Sequence, residues 1–251
     1  MDILWRDGGW VQKMSEEEER KYLLDLDYRF VRVQSQDIRM DELVAKAREK
    51  QPGLIVVDRA VYGRNQNYLT PENRVPEKAL PYPWESCIIA GGGWAWVPDS
   101  KFMSGRAAVQ LLVDIVVKGG NLLLNIGPAP DGTWPEGAYS LLEDMGRWMK
   151  INSEAIYGTR AMAPYKDGKV CINKKNEKTW YIFYMADMGE KMPAEISMKG
   201  VTLPAGTRVT MPGSNTPCRW HNSNDSFTLS IPTALRNRPP SDYVWVFKAE
   251  F

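Results

Sequence analysis

Asp2-Ile-Leu-Trp-Arg-Asp-Gly-Gly-Trp10 is the stretch from which the chain is read. Ile3, Leu4 and Trp5 predict a buried strand, and the apolar run ends at the carboxylate of Asp7. Gly8 and Gly9 follow, and glycine lets the backbone turn away beside a strand's end. In a parallel α/β architecture that end of a strand is where reactive side chains are presented. The plain alternative is an aspartate that only accepts hydrogen bonds from turn amides.

Outward from this stretch the same rhythm recurs. Ser15–Leu24 is charged and reads as a capped, solvated helix or an exposed insertion, and Phe30–Gln34 as a short strand. Met40, Leu43, Val44 and Ala47 recur at helical spacing, with Asp37 or Asp41 as the N-cap and Gln51-Pro52-Gly53 as the stop. Leu54-Ile-Val-Val-Asp58 is a second apolar strand that ends in polar residues, Asp58 and Arg59. A long irregular segment, 60–82, carries Thr70-Pro71-Glu72, and Pro83-Trp84-Glu85 leads into a third strand over 86–90. Loops of that length inside a domain are usually functional or disordered.

Gly91-Gly-Gly-Trp-Ala-Trp96 follows and matches no phosphate-binding pattern. Tryptophans among glycines suit the apolar face of a sugar ring; buried structural tryptophans are the alternative. Ala108, Leu111, Leu112 and Ile115 mark a helix from near Lys101 to Gly119-Gly120. Asn121–Ile126 predicts a fourth buried strand, and Leu141, Leu142, Met145 and Trp148 a further helix. After residue 156 no helix-period segment remains. Short β-rich runs at 170–172, 179–184, 195–198, 207–211, 227–231 and 243–248 predict an antiparallel β-sandwich. The domains are therefore 1–156 and 157–251.

The 251 residues carry 32 Lys plus Arg against 31 Asp plus Glu, a balance that gives no electrostatic footprint for nucleic acid or an anionic membrane. No apolar run is long enough to span a bilayer. Cys87, Cys171 and Cys218 are too scattered for a metal site or a redox pair and read as buried free thiols. His221 is the sole histidine, which excludes His-based triads and His-rich metal centres. Carboxylates surrounded by aromatic residues remain, and two carboxylates flanking a bond make a glycosidase site.

The residues that carry this chemistry resemble the α-L-fucosidases, a family of retaining glycoside hydrolases. The resemblance rests on Leu4-Trp-Arg-Asp-Gly-Gly-Trp10, Val57-Asp-Arg59, Tyr68-Leu-Thr-Pro-Glu72, Pro83-Trp-Glu-Ser-Cys87, the run from Val113 to Pro128, and Asn152 to Thr159. It implies α/β plus all-β architecture: the C-terminal portion of a (β/α)8 TIM-type barrel followed by an antiparallel β-sandwich. It implies Asp7 as nucleophile and Glu72 as acid/base, with Glu85 as its rival. Trp5, Arg59, Trp84, Glu85 and Trp94 become substrate-binding residues, and Asn121 and Asn125 structural ones. The substrate is a terminal α-L-fucosyl linkage of a glycan. No metal or organic cofactor is required, and a homo-oligomer is a possible partner state.

Two departures from the family stand out. Arg6 occupies a position that is usually apolar. The family's N-terminal half, with the histidines and aromatics that hold fucose hydroxyls, has no counterpart in this sequence. The reading is thus a piece of a longer parent, periplasmic or extracellular by resemblance, with weak or no activity by itself. A non-catalytic carbohydrate-binding or inactive fragment is the alternative.

Overall fold

The computed structural model describes residues 2–6, 39–58 and 65–251. The charged stretch 15–24 and the strand expected at 30–34 lie outside them. The chain divides into two compact units, Met1–Cys87 and Ile88–Phe251.

In the first unit, β1 (Ile3–Arg6) and β2 (Ile55–Asp58) pair in parallel, in register from Ile3↔Ile55 to Arg6↔Asp58. Helix α1 (Met40–Lys50) precedes β2 and packs on one face of this pair. Val44 and Ala47 meet Leu4, Leu54 and Val56 there. Side chains alternate along a strand, so Trp5 and Val57 occupy the opposite face. On that face Ile3 and Ile55, directly opposite each other, are 46% and 40% exposed. In the strand expected to be buried, Leu4 and Trp5 are half-buried and exposure is greatest at the Ile3 end, whereas Val57 of β2 is fully buried. The N-cap of α1 also differs from expectation. It is Arg39, in the left-handed region with φ 54°, and Asp41 sits inside the first turn with Glu42. There the two acids complement the helix dipole rather than cap it.

The segment expected to be irregular holds an unforeseen pairing. Leu69 and Glu72 form parallel bridges with Trp84 and Cys87. Leu69 N donates to Pro83 O (3.0 Å), Glu85 N to Leu69 O (2.9 Å), Cys87 N to Pro71 O (2.9 Å) and Asn73 N to Cys87 O (2.8 Å). Residues 69–73 thus run as a strand beside β3 (Glu85–Ile89). Pro71 hides this in the sequence, because proline argues against a strand. Here its missing N–H costs nothing at the bridge, since only its carbonyl is used.

In the second unit, β4 (Asn121–Asn125) forms a two-stranded sheet with β3. Its predicted burial does not hold: Leu123 is 38% exposed. A strand with a single neighbour leaves much of its surface uncovered. Helix α2 (Gly105–Val117) starts later than expected, where the Ser104 hydroxyl accepts from Ala107 N at 3.2 Å. Helix α3 (Glu136–Asn152) matches its predicted stripe, with Leu141 and Trp148 buried.

The remaining strands form two antiparallel sheets. One has the order β5-β6-β7-β12-β9 and the other β10-β11-β8. They comprise β5 (Arg160–Asp167), β6 (Val170–Asn176), β7 (Thr179–Met185), β8 (Glu195–Lys199), β9 (Arg208–Thr210), β10 (Arg219–Ser223), β11 (Ser226–Ser230) and β12 (Val244–Glu250). The inner strands β6, β7 and β12 of the five-stranded sheet are buried on both faces. Val170, Ile172, Ile182, Trp245 and Phe247 point into a core shared with Ile196, Met198, Phe227 and Leu229 of the smaller sheet. Cys171, Tyr181, Phe183, Val244 and Val246 alternate with them and pack on Val109, Val113, Val117 and Trp148 of α2 and α3. Double burial explains why these strands read as unbroken apolar runs. The change of element type near residue 157 therefore falls inside one packed unit. A five-residue helix, α4 (Thr233–Asn237), is too short to show a helical period in sequence. The three cysteines are buried free thiols, as expected, and His221 is exposed on β10. Among the described residues no helix is long and apolar enough to cross a membrane.

Candidate active site

The parallel register between 69–73 and β3 fixes which side chains share a face. Paired residues of a parallel ladder point the same way, and neighbours alternate. Glu72 pairs with Cys87, so Thr70 falls beside Glu85. Tyr68, Thr70 and Glu72 therefore stand on one face with Glu85 and Cys87. Leu69, Pro71, Trp84 and Ser86 occupy the other face and are buried. The two carboxylates that compete for the acid role thus lie on the same face, one pleat apart along the strand direction.

Tyr68 ties this face to β1. Its ring meets Trp5 edge-on, with centroids 6.4 Å apart. Its phenol is pushed up to about 12, first by burial and then by the negative charge of Glu85 and the Cys87 thiol. Burial likewise raises the Glu85 carboxyl above its ordinary value. Raising a carboxyl moves it toward the range in which it can serve as a general acid. Tyr68 had no assigned role in the sequence. The signal that could have found it is the alternation Tyr68, Thr70, Glu72.

The other predicted residues fall as follows. Asp7 and Arg59 lie outside the described residues. Trp84 is 1% exposed, and its indole N–H has no acceptor among the described residues. Its ring is an interior wall on the face opposite Glu72 and Glu85. Trp94 belongs to the second unit, in the loop after β3, and is 41% exposed; Trp96 is 38% exposed. Asn125, at the end of β4, holds this loop by donating from Nδ2 to Gly93 O (3.3 Å) and Trp94 O (3.0 Å). Its structural role follows from those two bonds. A Cβ on Gly127 would lie 2.5 Å from backbone atoms of Ala95 and Trp96, so only glycine allows this approach. Among the described residues no cluster of three or more His, Cys, Asp or Glu could hold a metal.

The family model described as alpha-L-fucosidase matches residues 1–154. The chain is 26% identical to an alpha-L-fucosidase of Dictyostelium discoideum over 98% of this chain and 52% of that protein. It is 29% identical to one of Branchiostoma floridae over 66% of this chain and 38% of the relative. It thus spans about half the length, or less, of these relatives. A crystal structure of Thermotoga maritima alpha-fucosidase in complex with a mechanism-based inhibitor superposes with a TM-score of 0.76 at 23% identity. That match covers 100% of this chain and 52% of the other, and it shows a shared fold. With the family model matched over more than half of its residues, the chain belongs to the alpha-L-fucosidase family.

Proposed function

We propose that this chain carries the nucleophile-bearing and acid-bearing part of a retaining α-L-fucosidase site that acts on terminal α-L-fucosyl linkages of glycans. Residues 1–156 are the C-terminal portion of a (β/α)8 barrel and residues 157–251 its β-sandwich. The observation that carries the reading is the single face bearing Tyr68, Glu72 and Glu85, joined to Trp5 of β1 through Tyr68. β1 and β2 end in register at Arg6 and Asp58, and the residues that follow them in sequence are Asp7 and Arg59.

Asp7 attacks the anomeric carbon and forms a glycosyl-enzyme ester, while the acid protonates the departing oxygen. The same residue then takes a proton from water, which cleaves the ester. Arg59 supports the nucleophile as an anion, and Trp5 bounds the sugar. Glu72 is the acid/base, because it stands further along the strand direction than Glu85. Reactive groups in parallel barrels gather toward that end. Glu85 is then a half-buried carboxyl, raised above its ordinary value by burial, beside Tyr68. The exposed ring of Trp94 offers a stacking face for a sugar.

Release of nitrophenol from nitrophenyl α-L-fucoside tests this reading. The chain is expected to hydrolyse it slowly, and Asp7→Ala to abolish the reaction. Glu72→Gln should slow a poor leaving group by about 100-fold or more and a good one far less, with azide restoring turnover. The same pattern in Glu85→Gln, with Glu72→Gln unaffected, would reassign the acid. Binding of fucosylated glycan without hydrolysis, unchanged by Asp7→Ala, would make the chain a binding module.

A further inference from the structure

The second unit contains a cavity of about 310 Å³ that uses none of the residues of the fucoside reading. Arg106 at the start of α2, Lys191, Arg236 of α4, and Asp242, Tyr243 and Trp245 at the start of β12 line it. Its volume is at the small end of ligand pockets, room for one sugar ring.

The charges in its wall are not balanced. Arg106 lies over the Tyr243 ring, with Cζ 5.5 Å from the centroid, and donates from Nη1 to Ala186 O. Arg236 donates from Nε to Ile231 O (3.1 Å) and from Nη2 to Thr233 Oγ1 (2.9 Å). Each guanidinium has five N–H donors, so most remain available. The other acid in the wall, Glu190, is already engaged by three donors. It accepts from Lys169 Nζ (2.7 Å), Tyr184 OH (2.6 Å) and Asp187 N (2.7 Å). Although burial pulls its carboxyl upward, these bonds hold it down to about 2. Arg106, Lys191 and Arg236 therefore face Asp242 as the one carboxylate of the wall with no such set of partners. Trp245 is 5% exposed, its ring stacks on Tyr184 at 5.6 Å, and its N–H has no acceptor among the described residues.

We infer that this cavity binds a uronic acid residue of an acidic glycan. A planar guanidinium matches a carboxylate with two parallel hydrogen bonds. Tyr243 borders the sugar ring, and Asp242 accepts from its hydroxyls.

Calorimetric titration of the full chain tests this without any fucoside. The probes are methyl β-D-glucuronide, methyl β-D-glucoside and acetate. The glucuronide should bind saturably, about tenfold or more tighter than either control. Arg236→Gln and Arg106→Gln should each weaken it by about tenfold, with the thermal midpoint recorded to establish that each variant is folded. Equal binding of glucoside and glucuronide, acetate matching the glucuronide, no saturable binding, or unchanged affinity in both folded variants would each overturn the proposal. Failure here leaves the fucosidase reading untouched, because hydrolysis is not the readout.

Discussion

Glu85 is where burial and charge meet most plainly. Its carboxyl is raised from 4.5 because the folded chain shields it from water. A raised acid favours the fold in its protonated form. That contribution is fully present below pH 4.5 and is lost as pH rises through the raised value. Glu85→Gln should therefore stabilise the protein at pH 7, with the gain vanishing toward pH 4, measured as urea midpoints at both pH values. An equal effect at the two pH values would show that charge burial is not the cause. The identity of Glu85 and Glu72 as rivals was legible in the sequence. Their shared face was not, because it depends on a pairing across fifteen residues that Pro71 conceals.

At the scale of elements, legibility followed burial. β6, β7 and β12 are apolar on both faces, so Val170–Ile172, Thr179–Tyr184 and Tyr243–Lys248 announced themselves. β5 and β10 did not. They are edge strands, β5 with Pro164 and a register shift between Ala161 and Lys166, and β10 with the exposed run Arg219 to Ser223. Edge strands are polar and irregular because that prevents further pairing. Helix ends were read less well than helix stripes, since α1 begins at Arg39 without a side-chain cap. Two glycines test the packing of α2 on α3. A Cβ on Gly105 would lie 2.1 Å from the Asp144 Cβ, whereas one on Gly146 meets nothing within 4 Å. Gly105→Ala should cost about 1–3 kcal/mol by overpacking. Gly146→Ala should gain up to about 1 kcal/mol from helix propensity. Thermal midpoints of the two variants moving in the same direction would contradict the close approach at Gly105.

Across the whole molecule, the helices and the sandwich of the second unit share one core. Trp148 of α3 is buried against the five-stranded sheet and donates its indole N–H to Val244 O of β12 at 2.9 Å. Trp148→Ala should cost about 3–5 kcal/mol. Circular dichroism should show helix and sheet signals lost together in one transition; separate transitions would mean that α3 and the sandwich fold independently. The family was visible in the sequence because its motifs lie at strand ends, whereas the boundary at 157 was drawn from element type and could not reveal this common core. The decisive measurement is peptide mass spectrometry after incubation with 2-fluoro-fucosyl fluoride, which forms a slow-turnover ester with a retaining nucleophile. One fluoro-fucosyl group is expected on the peptide containing Asp7, and none on Asp7→Ala. Labelling at another carboxylate, or equal labelling of Asp7→Ala, would contradict Asp7 as the nucleophile of this chain.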